Sequence, residues 1–498
     1  MSGLIANLQE YWMVHLLLVL YTALMVYHGW KGNRETKGIA DYYVGGRNMG
    51  GLAIGLSFFA TYSSTNSFVG FSGQAYNWGV PWLLLLPFVV GFCLLAWVVV
   101  APRLRYFTES LNSLTLPDFI GFRFASNKAR VLAAIIVIFA SFFYMTAVFK
   151  GIGNLIEVFL KVPYWLAILI VFLIVMIYTV LGGFISVVKT DAIQAIVMII
   201  AAFLLFSGTI EAAGGIGSFF DVRNQPGGSR LFTWDAGVAF PILIGTLFAG
   251  TIKFAVDPRQ LSRFYALKGR RELKTGIWVS TATFALVYAL LVPIGIYARR
   301  IFPEGNIEND LVVPQLLGRG EVFSDGVSAF LLLAMVAAAM SSLDSVLLVM
   351  ASTAERDIVG ILKRSSTEKS AVKATRFYVA LFATITMVIS LNPPGSIVVL
   401  TSFSGALYAA CFFPALILGL YWRRGSGSAV LASFAAGVGA LLLWKYVPGG
   451  KQIHEVFPAL FLSLLVYIIV SLRTDMNQAE GVKRLFSGRG GAASDCTS

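Results

Sequence analysis

Long apolar stretches separated by short polar segments run through almost the whole chain. Thirteen of these stretches are long enough to cross roughly 30 Å of hydrocarbon as helices, from Met13–Tyr27 near the start to Val456–Leu472 near the end. The segments between them are too short to hold a soluble domain. The pattern predicts an all-α polytopic membrane protein in which residues 1–474 form a single transmembrane domain, followed by a disordered cytoplasmic tail at 475–498.

The composition supports this prediction, because 57% of the residues are hydrophobic and only 13% are charged, whereas soluble domains carry roughly 25% charged residues. If the N-terminus lies outside, 28 of the 38 Lys and Arg residues fall in inside segments and 8 in outside segments. This bias predicts an N-out, C-in orientation. It also accounts for the net charge of +13 without a nucleic-acid partner.

Two of the thirteen stretches are interrupted. Polar residues 60–67 lie in the middle of the second stretch, and Gly250–Lys253 leads into Asp257 and Pro258 at the end of the seventh. Because the interruptions lie five spans apart, they predict two inverted five-helix repeats with broken first helices. An ordinary kinked helix, with Ser and Thr bonded to their own backbone, is the alternative for either one.

The interrupted second stretch carries five Ser and Thr hydroxyls and one amide at membrane depth. Unsatisfied polar groups at that depth cost several kcal/mol each, so they must face protein, water or a ligand. Backbone carbonyls freed at an unwound point are good ligands for a hard cation.

A row of small and polar residues in the ninth stretch is a second candidate site. At about 100° per residue, Ala338, Ser341, Ser342 and Ser345 share one helix face, with Asp344 at its edge. A packing seam of small residues is the alternative, but a carboxylate inside a span indicates function. Asp191, where the sixth stretch begins, is either functional or a helix N-terminal acid.

Two lysines, Lys150 and Lys253, fall inside predicted spans, where a buried ammonium is costly. Glu157 and Asp257 are the expected resting partners. Tyr144 either faces the same cavity as Lys150 or faces lipid. A carboxylate on the solute, which is expected to be an amino acid or a monocarboxylate, would offset either charge, with Lys150 preferred because Lys253 is expected to pair with Asp257. The chain shows no catalytic constellation, so we expect no enzyme activity.

Several short motifs together resemble the sodium–solute symporter family, with the bacterial proline and pantothenate carriers among its similar members. They are residues 41–47, residues 116–119, Gly182–Phe184 followed by residues 190–194, and Asp257-Pro258 leading to Arg263-Phe264. The resemblance implies sodium-coupled secondary active symport of a small organic solute by alternating access. It also implies a multi-pass protein of the prokaryotic cell membrane with Na⁺ as the coupling ion. We expect no obligate protein partner.

Carried over by motif, the resemblance implies three groups of site residues. The main sodium site takes Ala60, Ser63, Ala338, Ser341 and Ser342. A second cation is assigned to Asp191, Asp344 and Ser345. The solute is assigned to Ser64, Asn66, Ser67, Tyr144, Lys150, Lys253 and Asp257.

Two residues depart from the pattern that the resemblance implies. Asp344 stands in a serine-rich segment, and Tyr62 stands where the proline carrier has an acid. Other hypotheses therefore stay open. They are a proton-coupled symporter with Asp344 or Asp191 titrating, a sodium symporter for a sugar or another neutral solute, a receptor-type sensor, and a channel.

Overall fold

The computed structural model describes residues 11–179, 183–234, 238–304, 307–362, 367–475, 482 and 486. These residues are predominantly helical, and within these ranges no strand forms. A single parallel bridge joins Met49 to Leu267. The described part of the chain is therefore all-α, as the apolar pattern predicts.

The helices of the first half are numbered in chain order, short ones included. They are α1 (Trp12–Glu35), α2 (Ile39–Val44), α3 (Gly51–Tyr62), α4 (Phe71–Trp78), α5 (Leu85–Leu95), α6 (Ala101–Ser110), α7 (Leu116–Arg123), α8 (Asn127–Leu160), α9 (Tyr164–Thr179), α10 (Phe184–Ala213) and α11 (Ser218–Asp221).

The numbering continues through the second half of the chain. These helices are α12 (Phe240–Thr251), α13 (Lys253–Val256), α14 (Pro258–Ala266), α15 (Arg270–Leu291), α16 (Ile294–Ile301), α17 (Val312–Leu317), α18 (Asp325–Thr353), α19 (Gly360–Leu362), α20 (Glu368–Ser390), α21 (Ile397–Phe413), α22 (Gly419–Tyr421), α23 (Gly427–Leu443) and α24 (Val456–Arg473).

Eleven helical stretches within the described ranges are long and apolar enough to span a membrane. Two shorter apolar helices, Gly51–Tyr62 and Tyr164–Met176, lie where the second and fifth spans are expected. The count of thirteen crossings and the N-out orientation remain predictions. Gly182 of the resemblance motif, the expected span ends at 181 and 236, and all of the tail at 475–498 except 475, 482 and 486 lie outside the described residues.

Burial separates a central helix from peripheral ones. In an apolar segment of 18 residues within α18, 89% of the residues are buried, whereas the corresponding value is 28% in α1, α20 and α24. Helix α18 packs against α8 and α10, and α21 packs against α8. Since lipid solvates the exposed apolar side chains of the outer helices, the functional groups are to be sought around α18.

Both expected interruptions are present. Helix α3 ends at Tyr62, Ser63 is extended (φ −74°, ψ 117°), and a π-helical turn at Asn66–Gly70 leads into α4. We call residues 60–67 the first break. In the second, Asp257 is extended (φ −74°, ψ 123°) between α13 and α14, since Pro258 disfavours helical geometry in the residue before it. We call residues 250–259 the second break.

One expected boundary was wrong. The sixth span was expected to begin at Ala192, but α10 begins at Phe184, directly after Gly183. Asp191 therefore lies in the third turn of α10, fully buried, and not at the helix N-terminus. The helix macrodipole does not explain its position.

Candidate functional site

The serines of α18 contact the carbonyls of the first break. The Ser341 hydroxyl donates to the Ala60 carbonyl at 3.0 Å and to the Ala338 carbonyl at 3.0 Å. The Ser342 hydroxyl lies 3.2 Å from the Thr61 carbonyl and 3.4 Å from the Ser63 carbonyl. The five residues expected at the main sodium site thus lie together.

This cluster fits a small hard cation. Its donors are oxygens of carbonyls and hydroxyls, the ligands that hard cations take in proteins. All five residues are buried, so the polar atoms are shielded from competing water. Because none of the five carries an ionised side chain, the set suits a single positive charge.

A buried ion pair lies beside this cluster, where the second cation was expected. Asp191 Oδ2 accepts from Arg263 Nη2 at 2.9 Å, from the Ser57 hydroxyl at 2.6 Å and from the Thr61 hydroxyl at 3.3 Å. Arg263 also donates to the Ser345 hydroxyl at 2.6 Å. The structure brings Asp191 and Ser345 together with a guanidinium between them.

Asp344 also bonds a residue of another helix. Its carboxylate accepts from the Thr179 hydroxyl on α9 at 2.5 Å. A second cation held by Asp191, Asp344 and Ser345 stays a prediction.

The second break is charged where the first is neutral. Asp257 caps α14 by accepting from the Arg259 backbone N–H at 2.9 Å. The Arg259 guanidinium also donates to both carboxylate oxygens, with Nη2 2.5 Å from Oδ2 and Nε 3.0 Å from Oδ1. Both residues are buried. Asp257 was expected to pair with Lys253, and this expectation is corrected to Arg259.

Two basic side chains lie against the ring of Tyr144 on α8. The guanidinium carbon of Arg259 lies 3.6 Å from the ring centroid, and Lys253 Nζ lies 5.2 Å from it. Among the described residues, no carboxylate forms an ion pair with Lys253, which is only 3% exposed. Lys253, Asp257 and Arg259 therefore form a buried group of two basic side chains and one carboxylate.

Gly405 lets α21 approach the end of α12 and Lys253 closely. A Cβ atom built on Gly405 would lie 1.9 Å from the Ala249 carbonyl oxygen and 2.7 Å from Lys253 Cε. Any other residue at 405 would therefore force α21 and the backbone of α12 apart.

Lys150 lies in a different environment from the one expected. Its Nζ is 2.7 Å from Asp310 Oδ2, 3.5 Å from Glu308 and 3.3 Å from the Gly395 carbonyl. Asp310 also accepts from the Ile397 N–H at 3.1 Å. Burial raises the pKa of Asp310, while Lys150 acts in the opposite direction. The expected partner Glu157 is thus corrected to Asp310, and Lys150 ties the segment before α17 to α8 and α21.

Some polar side chains of the first break have hydrogen-bond partners among the described residues, and others have none. The Ser64 hydroxyl accepts from the Asn66 N–H at 3.2 Å, and the Ser67 hydroxyl bonds the Tyr288 hydroxyl at 2.6 Å. These two serines stabilise the unwound backbone. The Asn66 side-chain oxygen and the Tyr144 hydroxyl are buried with no hydrogen-bond partner in the described structure.

Tyr62 connects the two breaks. Its hydroxyl donates to the Gly250 carbonyl at the end of α12 at 3.0 Å. Its ring stacks on Phe254 with centroids 4.1 Å apart, and Phe284 packs edge-on against both. This aromatic wall closes one side of the group formed by Lys253, Asp257 and Arg259.

The sequence pattern did not indicate the roles of Arg259 and Arg263. Their position between two predicted spans suggests exposed residues of an inside segment, yet each is only 1% exposed. The signal that could have found them is their position directly after the Asp257-Pro258 break, because cations so close to a broken helix belong to its interior.

Broken helices that surround oxygen ligands and buried charges at the centre of a membrane bundle define a secondary transporter. The family model described as "Sodium:solute symporter family" matches residues 42–437. The chain belongs to this family. It is a multi-pass cell-membrane protein that couples sodium to the transport of a small organic solute, and its relatives are transporters and not enzymes.

Individual relatives support the same conclusion over nearly the whole chain. The sodium/pantothenate symporter of Haemophilus influenzae is 28% identical over 450 residues, covering 88% of this chain and 91% of that protein. The osmoregulated proline transporter of Bacillus subtilis is 28% identical over 481 residues, with 94% and 96% covered.

A solved structure shows the same fold. The outward-open, substrate-bound structure of a Na⁺-coupled sialic acid symporter matches with a TM-score of 0.80 at 19% identity, covering 93% of this chain and 98% of that one. Together with the two breaks, it supports the fold class expected from the sequence.

Proposed function

We propose that this symporter carries a small carboxylate, which binds at the second break while sodium binds at the first. The observation that carries the proposal is the buried Lys253, which has no carboxylate partner among the described residues. An ammonium buried without an anion is costly. A solute carboxylate would supply the missing charge.

The neighbouring ion pair leaves this role open to the solute. Asp257 is held by Arg259 through both carboxylate oxygens, so it is a poor partner for Lys253. At a separation of about 4 Å and an effective dielectric constant of about 20, a carboxylate and an ammonium attract by about 4 kcal/mol. That attraction favours binding of an anion over a neutral solute of the same size.

The proposed roles of the expected solute residues follow their contacts. Lys253 binds the carboxylate, Tyr144 supplies the ring face beside it, and Asp257 positions Arg259. The Asn66 side-chain oxygen offers an acceptor to a polar group of the solute. Ser64 and Ser67 support the backbone of the break, and we assign Lys150 to closing the outer end of the bundle and not to the solute.

The proposed main sodium site consists of Ala60, Ser63, Ala338, Ser341 and Ser342. In the structure, Ser341 and Ser342 join α18 to the first break through their hydroxyls. An ion bound among these oxygens would fix the same two elements against each other. Sodium binding would therefore prepare the solute site next to the break, which is the basis of coupling.

We propose that the second cation position, at Asp191 and Ser345, is filled by the Arg263 guanidinium. Its hydrogen bonds to both residues support this assignment. Sodium activation of solute binding should then follow a single-site curve. A Hill coefficient clearly above one would contradict it and would support a second sodium at Asp191.

The carboxylate proposal is tested with purified protein in proteoliposomes at pH 8, where the probe acids are ionised. We expect L-lactate or L-alanine to be taken up with an inward sodium gradient and not with choline in its place. D-glucose is the neutral control. Sodium-driven uptake of glucose without uptake of either carboxylate would contradict the proposal and support a neutral-solute symporter.

A further inference from the structure

The proposed solute site contains anion-binding groups but, among the described residues, no free carboxylate for an ammonium group. In an amino acid the ammonium and the carboxylate are bonded to the same carbon atom, so both must enter the site together. An ammonium has three N–H donors and needs acceptors for them. The acceptors around Lys253 therefore decide whether an amino acid fits.

The carboxylate of the site is already engaged. Asp257 Oδ1 accepts from the Arg259 N–H and Nε, and Oδ2 accepts from Nη2. An incoming ammonium would have to displace a guanidinium that is held in place by stacking on Tyr144.

Three carbonyls at the two breaks are engaged as well. The Gly250 carbonyl accepts from the Tyr62 hydroxyl. On the first break, the carbonyls of Ala60 and Thr61 accept from Ser341 and Ser342. The nearby acceptors that have no partner among the described residues, the Asn66 side-chain oxygen and the hydroxyls of Ser63 and Tyr144, are all neutral.

The charges of the site also disfavour an ammonium. Lys253 and Arg259 both lie over the Tyr144 ring, and in the described part of the chain one carboxylate, Asp257, pairs with them. A third cation would be repelled by the surplus positive charge, whereas an amine-free acid brings only the anion that the site lacks.

We infer that the solute is a carboxylate without an amino group, such as a simple carboxylic acid or a 2-hydroxy acid, and that Tyr62 is a specificity-determining residue. The inference rests on the proposed function, since it concerns the same site. It distinguishes the two classes of solute that a carboxylate site could bind, which are amino acids and acids without an amino group.

The test compares ligands that differ in one group. L-lactate and L-alanine have a hydroxyl or an ammonium on the same carbon, and propionate has neither. The purified full-length protein is unfolded by heat with each probe, once in sodium chloride and once in choline chloride. We expect sodium-dependent stabilisation by lactate and propionate at concentrations at least tenfold lower than any stabilisation by alanine.

The outcomes separate this inference from the proposed function. Stabilisation by alanine equal to or greater than that by lactate overturns the inference and leaves the carboxylate site standing. Stabilisation by none of lactate, propionate and alanine, or only by the neutral control D-glucose, overturns both the inference and the proposed function. Sodium-dependent stabilisation by the two amine-free acids alone supports both.

A variant tests the role of Tyr62. Tyr62→Phe keeps the ring stacked on Phe254 and releases the Gly250 carbonyl as an acceptor. We expect the ratio of alanine to lactate affinity to rise at least threefold. An unchanged ratio in a protein that still binds lactate would overturn the role of Tyr62. Should Tyr62→Phe fail to fold, the matched ligands on the unmodified protein still decide the solute class.

Discussion

The two helix breaks share a backbone design and differ in chemistry. The first break offers hydroxyls and carbonyls that meet Ser341 and Ser342, with no ionised side chain among its residues 60–67. The second contains Lys253, Asp257 and Arg259, all buried. Neutral oxygens suit a small cation, whereas buried basic side chains suit an anion, so we propose that the two breaks bind different ligands.

The largest effect is expected for Arg263 on α14, which bonds Asp191 on α10 and Ser57 on α3. Arg263→Gln leaves Asp191 buried without its cation, and breaking a buried pair in this way costs about 3–5 kcal/mol. We expect a large loss of thermal stability in detergent. Adding Asp191→Asn should restore much of it, since the uncompensated charge is then gone.

Stability of the double variant no better than that of Arg263→Gln would show that the guanidinium acts through its bonds to Ser57 and Ser345 rather than by neutralising Asp191.

The next largest effect concerns the anion site alone. Lys253→Met keeps the length of the side chain and removes its charge. Losing one partner of a buried charge pair costs about 2–5 kcal/mol, so we expect solute affinity to fall about a hundredfold. Lys128→Gln, which removes an exposed lysine, is the control. Unchanged lactate affinity in Lys253→Met would show that the charge of Lys253 does not contribute to solute binding.

A smaller effect is expected at the cation site. Ser341→Ala and Ser342→Ala each delete one hydroxyl, a loss of about 0.5–1.5 kcal/mol for a neutral hydrogen bond, so apparent sodium affinity should fall about threefold to tenfold. The control is Ser352→Ala, because the Ser352 hydroxyl donates to its own helix at Val349. Equal sodium activation in all three variants would argue against the first break as the sodium site.

The smallest effect on solute affinity is expected for Lys150→Met. Since Lys150 contacts Asp310 and not the second break, affinity should change less than threefold, while amide hydrogen exchange in the segment at 307–311 should increase. A loss of affinity as large as that of Lys253→Met would show that Lys150 also binds the solute, and would contradict the different roles proposed for the two lysines.

Local pattern predicted much of this site. The run at residues 60–67 and the spacing of Ser341 and Ser342 identify a broken helix and a facing polar row, and the two meet through hydrogen bonds. Both signals lie within one or two helical turns, so helix periodicity is enough to detect them.

Pairing between distant residues could not be predicted in the same way. Lys150 finds Asp310, 160 residues further on, and Arg263 finds Asp191 across three helices. Short spacing favoured Glu157 and Asp257 as partners, but tertiary packing decides which charges meet once helices assemble. Arg259 shows the same limit, because a position after the Asp257-Pro258 break gives no hint of stacking on Tyr144.

The hydroxyl of Tyr62 has a thermodynamic consequence. Tyr62 bonds the Gly250 carbonyl, while the carbonyl of its neighbour Thr61 accepts from Ser342, so the two proposed ligand sites adjoin through consecutive residues of one helix end. Binding free energies at linked sites are reciprocal: the factor by which sodium tightens the solute must equal the factor by which the solute tightens sodium. Titrating each ligand at saturating and zero concentrations of the other measures both factors, and a residue that changes one must change the other equally.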